Sequence, residues 1–367
     1  MTTSRPSKPH ALPAPHALPA PRVWRLGGYA VLVQPRALAV FLILLALLLI
    51  LSAAALSVGR TGMGLPRLLE VLLDPLSAGT GERMVLNIRL PRVLTACFVG
   101  AALGVSGAVF QSVTRNPLGS PDVIGFTTGA ATGALIQIVI HGQSALGVAL
   151  GAVLGGLATA IAVYLLSISN GAARGHRLVL VGIGVGAILH ALNGLMLVKG
   201  ELDDAVMANL WLAGTLNARD WTHAGLATAG VALFLPPVLL AARRLAVMEM
   251  GDEMASQLGI PVERTRLAVV FCAVMLAAFA TGAAGPVAFI ALAAPQLAKR
   301  LGRSHGVPVL GAAAMGACLL VSADLLGQLQ PLRLNLPVGR VTGMLGGLYL
   351  IWLLTASSRR ARPGKPV

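Results

Sequence analysis

The sequence predicts an all-α polytopic membrane protein with about ten transmembrane helices. Of its 367 residues, 56% are hydrophobic and 11% are charged, whereas soluble domains carry about 25% charged residues. Uncharged runs of about 20 residues, the length that a helix needs to cross the hydrocarbon core of a bilayer, recur along the chain. Lysine and arginine collect on one side of these runs, as the positive-inside rule expects of a multi-pass protein.

The predicted spans follow one another closely. They are residues 37–59, 93–114, 123–140, 142–173, 178–198, 221–242, 267–298, 304–323 and 341–358. The run 267–298 would make roughly 48 Å of helix, which is too long for one crossing. The stretch TGAAGPVAF (281–289) breaks it, because proline cannot continue the helical hydrogen-bond ladder.

The distribution of basic residues decides whether the run 267–298 crosses once or twice. With two crossings the 28 Lys and Arg residues divide 19 to 9 between the two sides, and with one crossing they divide 14 to 14. The asymmetric division satisfies the positive-inside rule. The sequence therefore predicts ten crossings, with both termini in the cytoplasm.

The chain divides into three predicted parts. Residues 1–36 contain the tandem repeat HALPAPHALPAP and are predicted to be a disordered, proline-rich cytoplasmic tail. Residues 37–358 form the transmembrane domain, and residues 359–367 form a short basic cytoplasmic tail.

Several function classes are disfavoured by the residue inventory. The net charge of +15 does not indicate nucleic-acid binding, because the basic residues are dispersed at the ends of the spans. The candidate titratable side chains for catalysis or proton-driven transport are His190 within a span, His223 near a boundary and Asp324 at the end of the ninth span, and no partner at helical spacing is expected for them. No Walker A loop, zinc-binding HExxH or nucleophile elbow is present. The chain is therefore not expected to be an enzyme.

Three stretches of the sequence resemble a known family when they are taken together. They are RLPRVLTACFVGAALGVSGAVFQSVTRNPLGSPDVIGFTTGAATGA (89–134), GDEMASQLGI (251–260) and LNLPVGRVTGMLGGLYLIWLL (334–354). In this order they are similar to the permease subunits of iron-siderophore and cobalamin ABC importers, the FecCD-like family. The resemblance implies the type II ABC importer permease architecture, with about ten transmembrane helices.

The resemblance implies a cytoplasmic gate. In the family, the asparagine and leucine of the NPL motif help to close the inner mouth of the translocation path, and here these residues are Asn116 and Leu118. The link between the fourth and fifth spans supplies a second candidate at Gly175 and His176. The residues alone indicate a tight turn after Arg115, which would cap the third helix at Pro121 and Asp122.

The segment around residue 254 is predicted to be a short amphipathic helix on the membrane surface, with Met254 and Leu258 facing inward. The resemblance makes it the coupling helix, which sits in a groove of the ATPase subunit. Its implied contact residues are Gly251, Asp252, Met254, Gln257, Leu258 and Gly259.

On the opposite side, the resemblance implies that arginines pair with carboxylates of a substrate-binding protein. Arg89 and Arg92 occupy such positions before the second span, where snorkelling of their side chains is the plainer interpretation. Gln328 replaces a further arginine of the family, and Arg333 is the nearest substitute.

The resemblance also implies partners and cargo. These are a second permease subunit, two ATPase subunits that bind ATP and Mg, and an extracytoplasmic binding lipoprotein or periplasmic protein, with no cofactor in this chain. Gln296 and the stretch GGLYLIWLL favour the ferric enterobactin type, so a ferric siderophore is the expected cargo in the bacterial plasma membrane. A cobalamin or haem permease, an ion-coupled secondary transporter and a membrane scaffold remain alternatives.

Overall fold

The computed structural model describes residues 22–26, 29–57, 64–74, 79, 82–169, 172–173, 175–304, 306–329 and 336–360. This part of the chain is almost entirely helical. The helices are α1 (Pro35–Ser57), α2 (Leu65–Leu73), α3 (Leu90–Thr114), α4 (Phe126–Ile136), α5 (Ala145–Ser167), α6 (Gly175–Lys199), α7 (Leu202–Leu212), α8 (Trp221–Met248), α9 (Asp252–Gln257), α10 (Val262–Ala284), α11 (Ile290–Gly302), α12 (Val309–Leu329) and α13 (Val338–Arg360).

Two small antiparallel hairpins accompany the helices. Strand β1 (Arg22–Leu26) pairs with β2 (Tyr29–Val33), and β3 (Ile168–Ser169) pairs with β4 (Ala172–Ala173). The first hairpin lies within the tail for which the sequence predicted no order. Its strands are rich in Val, Trp and Tyr and flank a Gly-Gly pair, a combination that favours hairpins. Residues 1–21 and 361–367 of the predicted tails lie outside the described part of the chain.

Seven stretches of the described chain are long and apolar enough to cross a membrane. They are Pro35–Ser57, Val85–Thr114, Ala145–Ser167, Leu180–Lys199, Trp221–Met248, Val262–Ala284 and Val309–Leu329. The apolar helix Phe126–His141 is shorter. Helix α11 has 13 residues, about 20 Å of helix against a hydrocarbon core of about 30 Å. The helical multi-pass fold is therefore confirmed, and the count of ten crossings stays a prediction.

Helix α3 is the centre of the bundle and packs against α8, α10, α11 and α12. One face of α3 approaches its neighbours backbone to backbone. A Cβ atom added at Gly104 would lie 2.1 Å from the carbonyl oxygen of Ala312, and one at Gly107 would lie 1.7 Å from that of Ala291. Small residues allow such close approach between membrane helices, and here only glycine fits.

The break predicted within 281–289 is present. Helix α10 ends at Ala284, and α11 begins at Ile290. Between them Gly285 has a φ of 74° and Phe289 a φ of 72°, so the backbone leaves the helical conformation at both ends of the break. The apolar run therefore folds as two helices, as the sequence predicted.

Three chain segments meet at this break, and we call Gly214, Gly285 and Gly339 the glycine junction. The Thr215 N–H donates to the carbonyl of Ala284 at 2.9 Å, and the Gly339 N–H donates to that of Gly214 at 3.0 Å. A Cβ atom at Gly214 would lie 2.1 Å from the Pro286 carbonyl oxygen. The junction thus ties together the loop before α8, the end of α10 and the start of α13.

The third predicted helix begins later than the sequence suggested. Pro121–Ile124 form a 3-10 helix, and Gly125, with a φ of 72°, separates it from α4. A Cβ atom at Gly125 would lie 2.8 Å from the carbonyl oxygen of Gly182 in α6. The left-handed backbone at Gly125 prevents a continuous helix from Pro121 onward.

Candidate functional site

The turn after α3 is held by its own backbone and by one side chain. Arg115 has a φ of 51° and terminates α3. The Asn116 side-chain oxygen accepts a hydrogen bond from the Leu118 N–H at 2.9 Å, and the Asn116 carbonyl accepts from the Gly119 N–H at 2.9 Å. Asn116 therefore shapes the turn, as asparagine commonly does. The side chain of Leu118 is 50% exposed and does not belong to the packed core.

Two glutamines connect α11 to this turn and to the end of α3. Gln296 donates from its side chain to the carbonyl of Pro117, and Gln111 in α3 donates to the carbonyl of Leu292 at 3.0 Å. Beside these bonds lies a cleft of about 370 Å³, which is lined by Asn116 and Gln296 among others. From the sequence, Gln296 was only a marker of cargo type, whereas in the structure its side chain contacts the turn.

Helix α9, the predicted coupling helix, lies between two glycines with left-handed backbone, Gly251 (φ 128°) and Gly259 (φ 78°). The sequence predicted that Met254 and Leu258 would face inward. This is wrong, because their side chains are 48% and 65% exposed. The buried position belongs to Ala255, since α9 lies close to α8 and α10 and leaves room for a small side chain only. Gln257 is also exposed.

The carboxylate of Asp252 joins α9 to two other segments, and we call Asp252, Arg115 and Arg266 the Asp252 cluster. One carboxylate oxygen pairs with the guanidinium of Arg115, and the other accepts from Arg266 at 2.6 Å. Arg266 also pairs with Glu263 at 2.5 Å. The first residue of α9 is thereby bonded to the residue that opens the Asn116–Leu118 turn and to α10.

The Asp252 cluster was missed from sequence. Arg115 and Asp252 are 137 positions apart, and the only available signal was that both were assigned to the same side of the membrane with opposite charges. About half of each side chain of this pair is exposed, at 44% and 46%. Exposed ion pairs contribute about 0–1 kcal/mol each, so the Arg115–Asp252 pair is a readily broken connection.

The second candidate gate falls at the beginning of α6. Gly175 and His176 are its first two residues, and their side-chain environment lies outside the described structure. Arg177, the next residue, donates to the carbonyl of Leu166 at 3.4 Å. The geometry therefore neither joins this segment to the Asn116–Leu118 turn nor separates it from that turn.

The candidate docking arginines are already hydrogen-bonded within the chain. Arg92 forms an ion pair with Asp324, with guanidinium nitrogens 2.8 to 3.2 Å from both carboxylate oxygens, and Gln328 donates to the same carboxylate at 2.7 Å. Asp324 is only 3% exposed. Arg89 donates to the carbonyl of Leu56 at 2.9 Å. Arg333 lies outside the described residues.

Within the part of the chain that the structure describes, no three His, Cys, Asp or Glu side chains come together as a metal site would require. The candidate site consists instead of the Asn116–Leu118 turn, the short exposed helix α9 and the ion pairs that connect them. The described chain is thus a multi-pass helical bundle in which ion pairs join a surface helix to a turn at one end of α3.

Residues 44–356 match the model of the FecCD transport family, and the chain belongs to that family of transport permeases, which are not enzymes. It is 48% identical over 277 residues to the ferric enterobactin transport system permease protein FepG of Escherichia coli (strain K12), covering 76% of this chain and 84% of FepG. It is 33% identical to the probable siderophore transport system permease protein YfhA of Bacillus subtilis (strain 168), covering 88% and 95% of the two chains.

The fold agrees with this assignment. A solved inward-facing structure of a metal-chelate type ABC transporter superposes with a TM-score of 0.77 at 25% identity, over 87% of this chain and 99% of that chain. The resemblance seen in the sequence is therefore confirmed at the level of family and of permease architecture.

We expect Arg92→Ala to destabilise the protein by roughly 3 kcal/mol, because it leaves the buried Asp324 carboxylate without its cation. Gln328→Ala removes only one hydrogen bond to the same carboxylate and should cost about 1 kcal/mol. Thermal unfolding of the detergent-solubilised protein measures both. An Arg92→Ala protein as stable as the parent would show that the ion pair has no structural role. Contact with a substrate-binding protein would then be the remaining role proposed for Arg92.

Proposed function

We propose that this chain is the membrane-spanning permease subunit of an ABC importer that carries a ferric siderophore across the bacterial plasma membrane, powered by a separate ATPase. The observation that carries the proposal is the ion pair that joins α9 to Arg115, the residue before the Asn116–Leu118 turn. The side chains of Met254 and Leu258 are exposed beside it. The 48% identity to a ferric enterobactin permease supports the nature of the cargo.

The proposed topology has ten crossings, with both termini in the cytoplasm. The seven long apolar helices account for seven of them, and Phe126–His141, α11 and α13 supply the others. In this arrangement the Asn116–Leu118 turn, α9 and the end of α11 lie on the cytoplasmic side. The placement of Lys and Arg described above supports it.

A second permease subunit, identical or paralogous, completes the pathway. Helices α6 and α13 leave much of their surface uncovered. The space around Gly184, Gly194, Gly343 and Gly347 is open, since an added Cβ atom would meet nothing within 4 Å. Exposed glycines on a membrane helix favour close contact with another helix. These two helices are the surfaces on which we place the second subunit.

Two ATPase subunits, which bind ATP and Mg, supply the energy. The exposed apolar side chains of Met254 and Leu258 would enter a groove of one ATPase, with Gly251 and Gly259 at either end of the helix. When the ATPase moves α9, Asp252 moves with it and displaces Arg115 through their ion pair. Arg115 precedes the gate residues Asn116 and Leu118, so the displacement reaches the gate. Gly175 and His176 would form a second part of the gate.

An extracytoplasmic binding protein delivers the cargo. Arg89 and Arg333 are its proposed contacts, and Arg92 would join them only if it exchanged its bond to Asp324. The binding protein selects the chelate, and this permease needs no cofactor of its own for passage.

A haem or cobalamin permease is the alternative within the family, since the chain is also 34% identical to the hemin transport system permease protein HmuU of Yersinia pestis. An ion-coupled secondary transporter is disfavoured, because it would need carboxylates within the membrane to bind its ion. Asp324, the intramembrane carboxylate found in the sequence, is already neutralised by Arg92.

Replacing Met254 and Leu258 together with aspartate tests coupling to the ATPase. We expect uptake of a ferric tris-catecholate by proteoliposomes to fall more than roughly tenfold, because the contact would bury unpaired charge. The matched control exchanges the two apolar side chains, Met254→Leu with Leu258→Met, and should keep uptake. Normal uptake by the aspartate double variant would rule out α9 as the coupling helix.

The Asp252 cluster is tested by a double-mutant cycle with Arg115→Gln and Asp252→Asn. Each single change should lower uptake per ATP hydrolysed roughly 2- to 5-fold, as expected for an exposed ion pair. The double variant should lose no more than Asp252→Asn alone, because Asp252→Asn already removes the pair with Arg115 together with the pair to Arg266. Lys299→Gln is the control, since it removes an ion pair with Glu249 outside the cluster. Additive losses would contradict the link.

The gate is tested by Leu118→Ala in the reconstituted complex. The complex is held in its nucleotide-bound state, and retention of the chelate within the permease is measured. If Leu118 closes the inner mouth, the variant should leak the chelate inward while its stability changes by less than about 1 kcal/mol, since the side chain is half exposed. Equal retention by parent and variant would leave Asn116 and Leu118 as residues of a structural turn.

A further inference from the structure

A cavity of about 550 Å³ lies at the opposite end of the bundle from α9. It is formed where α4, α8 and α10 have their ends, together with α7 and the start of α5. Helix α8 begins at this cavity with His223 and ends at Met248 close to α9, so the two features lie at opposite ends of one helix. Under the proposed topology the cavity faces the side from which cargo arrives, and we call it the outer cavity.

Arg219 is the one cationic side chain in the lining of the outer cavity. Its Nε donates to the carbonyl of Thr215 at 3.0 Å, and its Nη1 lies 3.0 Å from Nε2 of His223. No carboxylate among the described residues pairs with it, and its Nη2 has no hydrogen-bond acceptor among them. Arg219 therefore has a charge and a donor that its own chain does not satisfy.

The neighbouring Asp220 makes no ion pair with Arg219 in the described structure, because its Oδ1 accepts hydrogen bonds at the start of α8 instead. It caps α8 by accepting from the backbone N–H groups of Thr222 and His223, at 3.0 and 3.2 Å. It also accepts from Nδ1 of His223 at 2.7 Å. With Nδ1 donating to Asp220, Nε2 of His223 is an acceptor and receives its hydrogen from Arg219.

Burial makes the unsatisfied charge costly. Burial lowers the pKa of Arg219 to about 10, against the opposing effect of the Asp220 carboxylate, and the guanidinium stays charged at neutral pH. A partly desolvated cation without a counter-ion is unfavourable unless an anion joins it. An anionic ligand in the outer cavity would supply that partner.

The rest of the lining indicates what kind of anion fits. Trp211, Met207 and Leu210 form an apolar wall beside Arg219. Tryptophan and methionine contact flat aromatic groups favourably, and the volume lies within the range of small-molecule sites, about 300 to 1,000 Å³. A carboxylate or phosphate alone would use the cation and leave the apolar wall empty.

We propose that the outer cavity is an entry subsite for an anionic aromatic chelate, in which Arg219 binds catecholate oxygens and the Trp211 wall contacts the rings. A ferric tris-catecholate has this chemistry, since three dianionic catecholates outweigh one ferric ion. The inference rests on the proposed function and adds to it the residue that selects for negative charge.

The test measures direct binding to the complete complex in detergent, without the binding protein. Ferric tris-catecholate is titrated while the quenching of tryptophan fluorescence is recorded, and Trp211→Phe identifies the reporter. We expect Arg219→Gln to raise the Kd roughly 10- to 100-fold, as the loss of a charged hydrogen bond does. The control Arg83→Gln removes an exposed arginine away from the cavity and should leave the Kd unchanged.

A second pair of variants leaves the Arg219 hydrogen bonds intact. If Arg219→Gln does not fold, this pair still tests whether the outer cavity binds an anion. Met207 is 45% exposed at the cavity wall. Met207→Glu brings a negative charge to the anion and should weaken binding, whereas Met207→Gln has nearly the same shape without the charge and should bind like the parent.

An unchanged Kd in both Arg219→Gln and Met207→Glu would overturn the inference while wild-type uptake of the chelate still supported the proposed function. Equal weakening of a neutral ferric tris-hydroxamate would overturn the role of charge at Arg219. A wild-type complex that neither binds nor imports the catecholate would overturn the proposed function itself, and the subsite with it.

Discussion

Direct backbone contact along one face of α3 is the constraint on which the rest of the bundle depends. With Gly104 and Gly107 against the carbonyls of Ala312 and Ala291, there is no side chain between the helices that a change of rotamer could move. A hydrogen bond from Ser106 to the carbonyl of Ala273, at 2.8 Å, fixes α10 against the same helix. Backbone contacts therefore fix the position of the end of α3 relative to α10, α11 and α12.

The rigid centre contrasts with the connections at its end. Beyond Arg115 the chain is held by the Asp252 cluster and by side-chain amides such as that of Gln296, and the exposed Arg115–Asp252 pair contributes only about 0–1 kcal/mol. This difference is what a transporter needs if its helices stay packed while the Asn116–Leu118 turn changes position. In the proposed importer, the packed glycine face keeps α3 in place, and the polar contacts link the movement of α9 to the turn.

The sequence predicted the features that local patterns determine. Apolar runs located the helices, and glycine with proline located the break between α10 and α11, because both signals arise from chain chemistry within one segment. The pairing of Arg92 with Asp324 was out of reach, since the two residues are 232 positions apart. The exposed face of α9 was misjudged because in a six-residue helix the neighbouring helices, and not periodicity, choose the buried side.

The glycine junction has a consequence for how the protein is made. Gly214 and Gly285 are synthesised before Gly339, but the N–H that satisfies the Gly214 carbonyl comes from Gly339. Until α13 is in place, this buried carbonyl lacks the hydrogen-bond partner that it has in the folded protein. Insertion of α13 therefore completes the glycine junction. In a chain without α13, the earlier helices could insert, but the loop before α8 would lack this hydrogen bond.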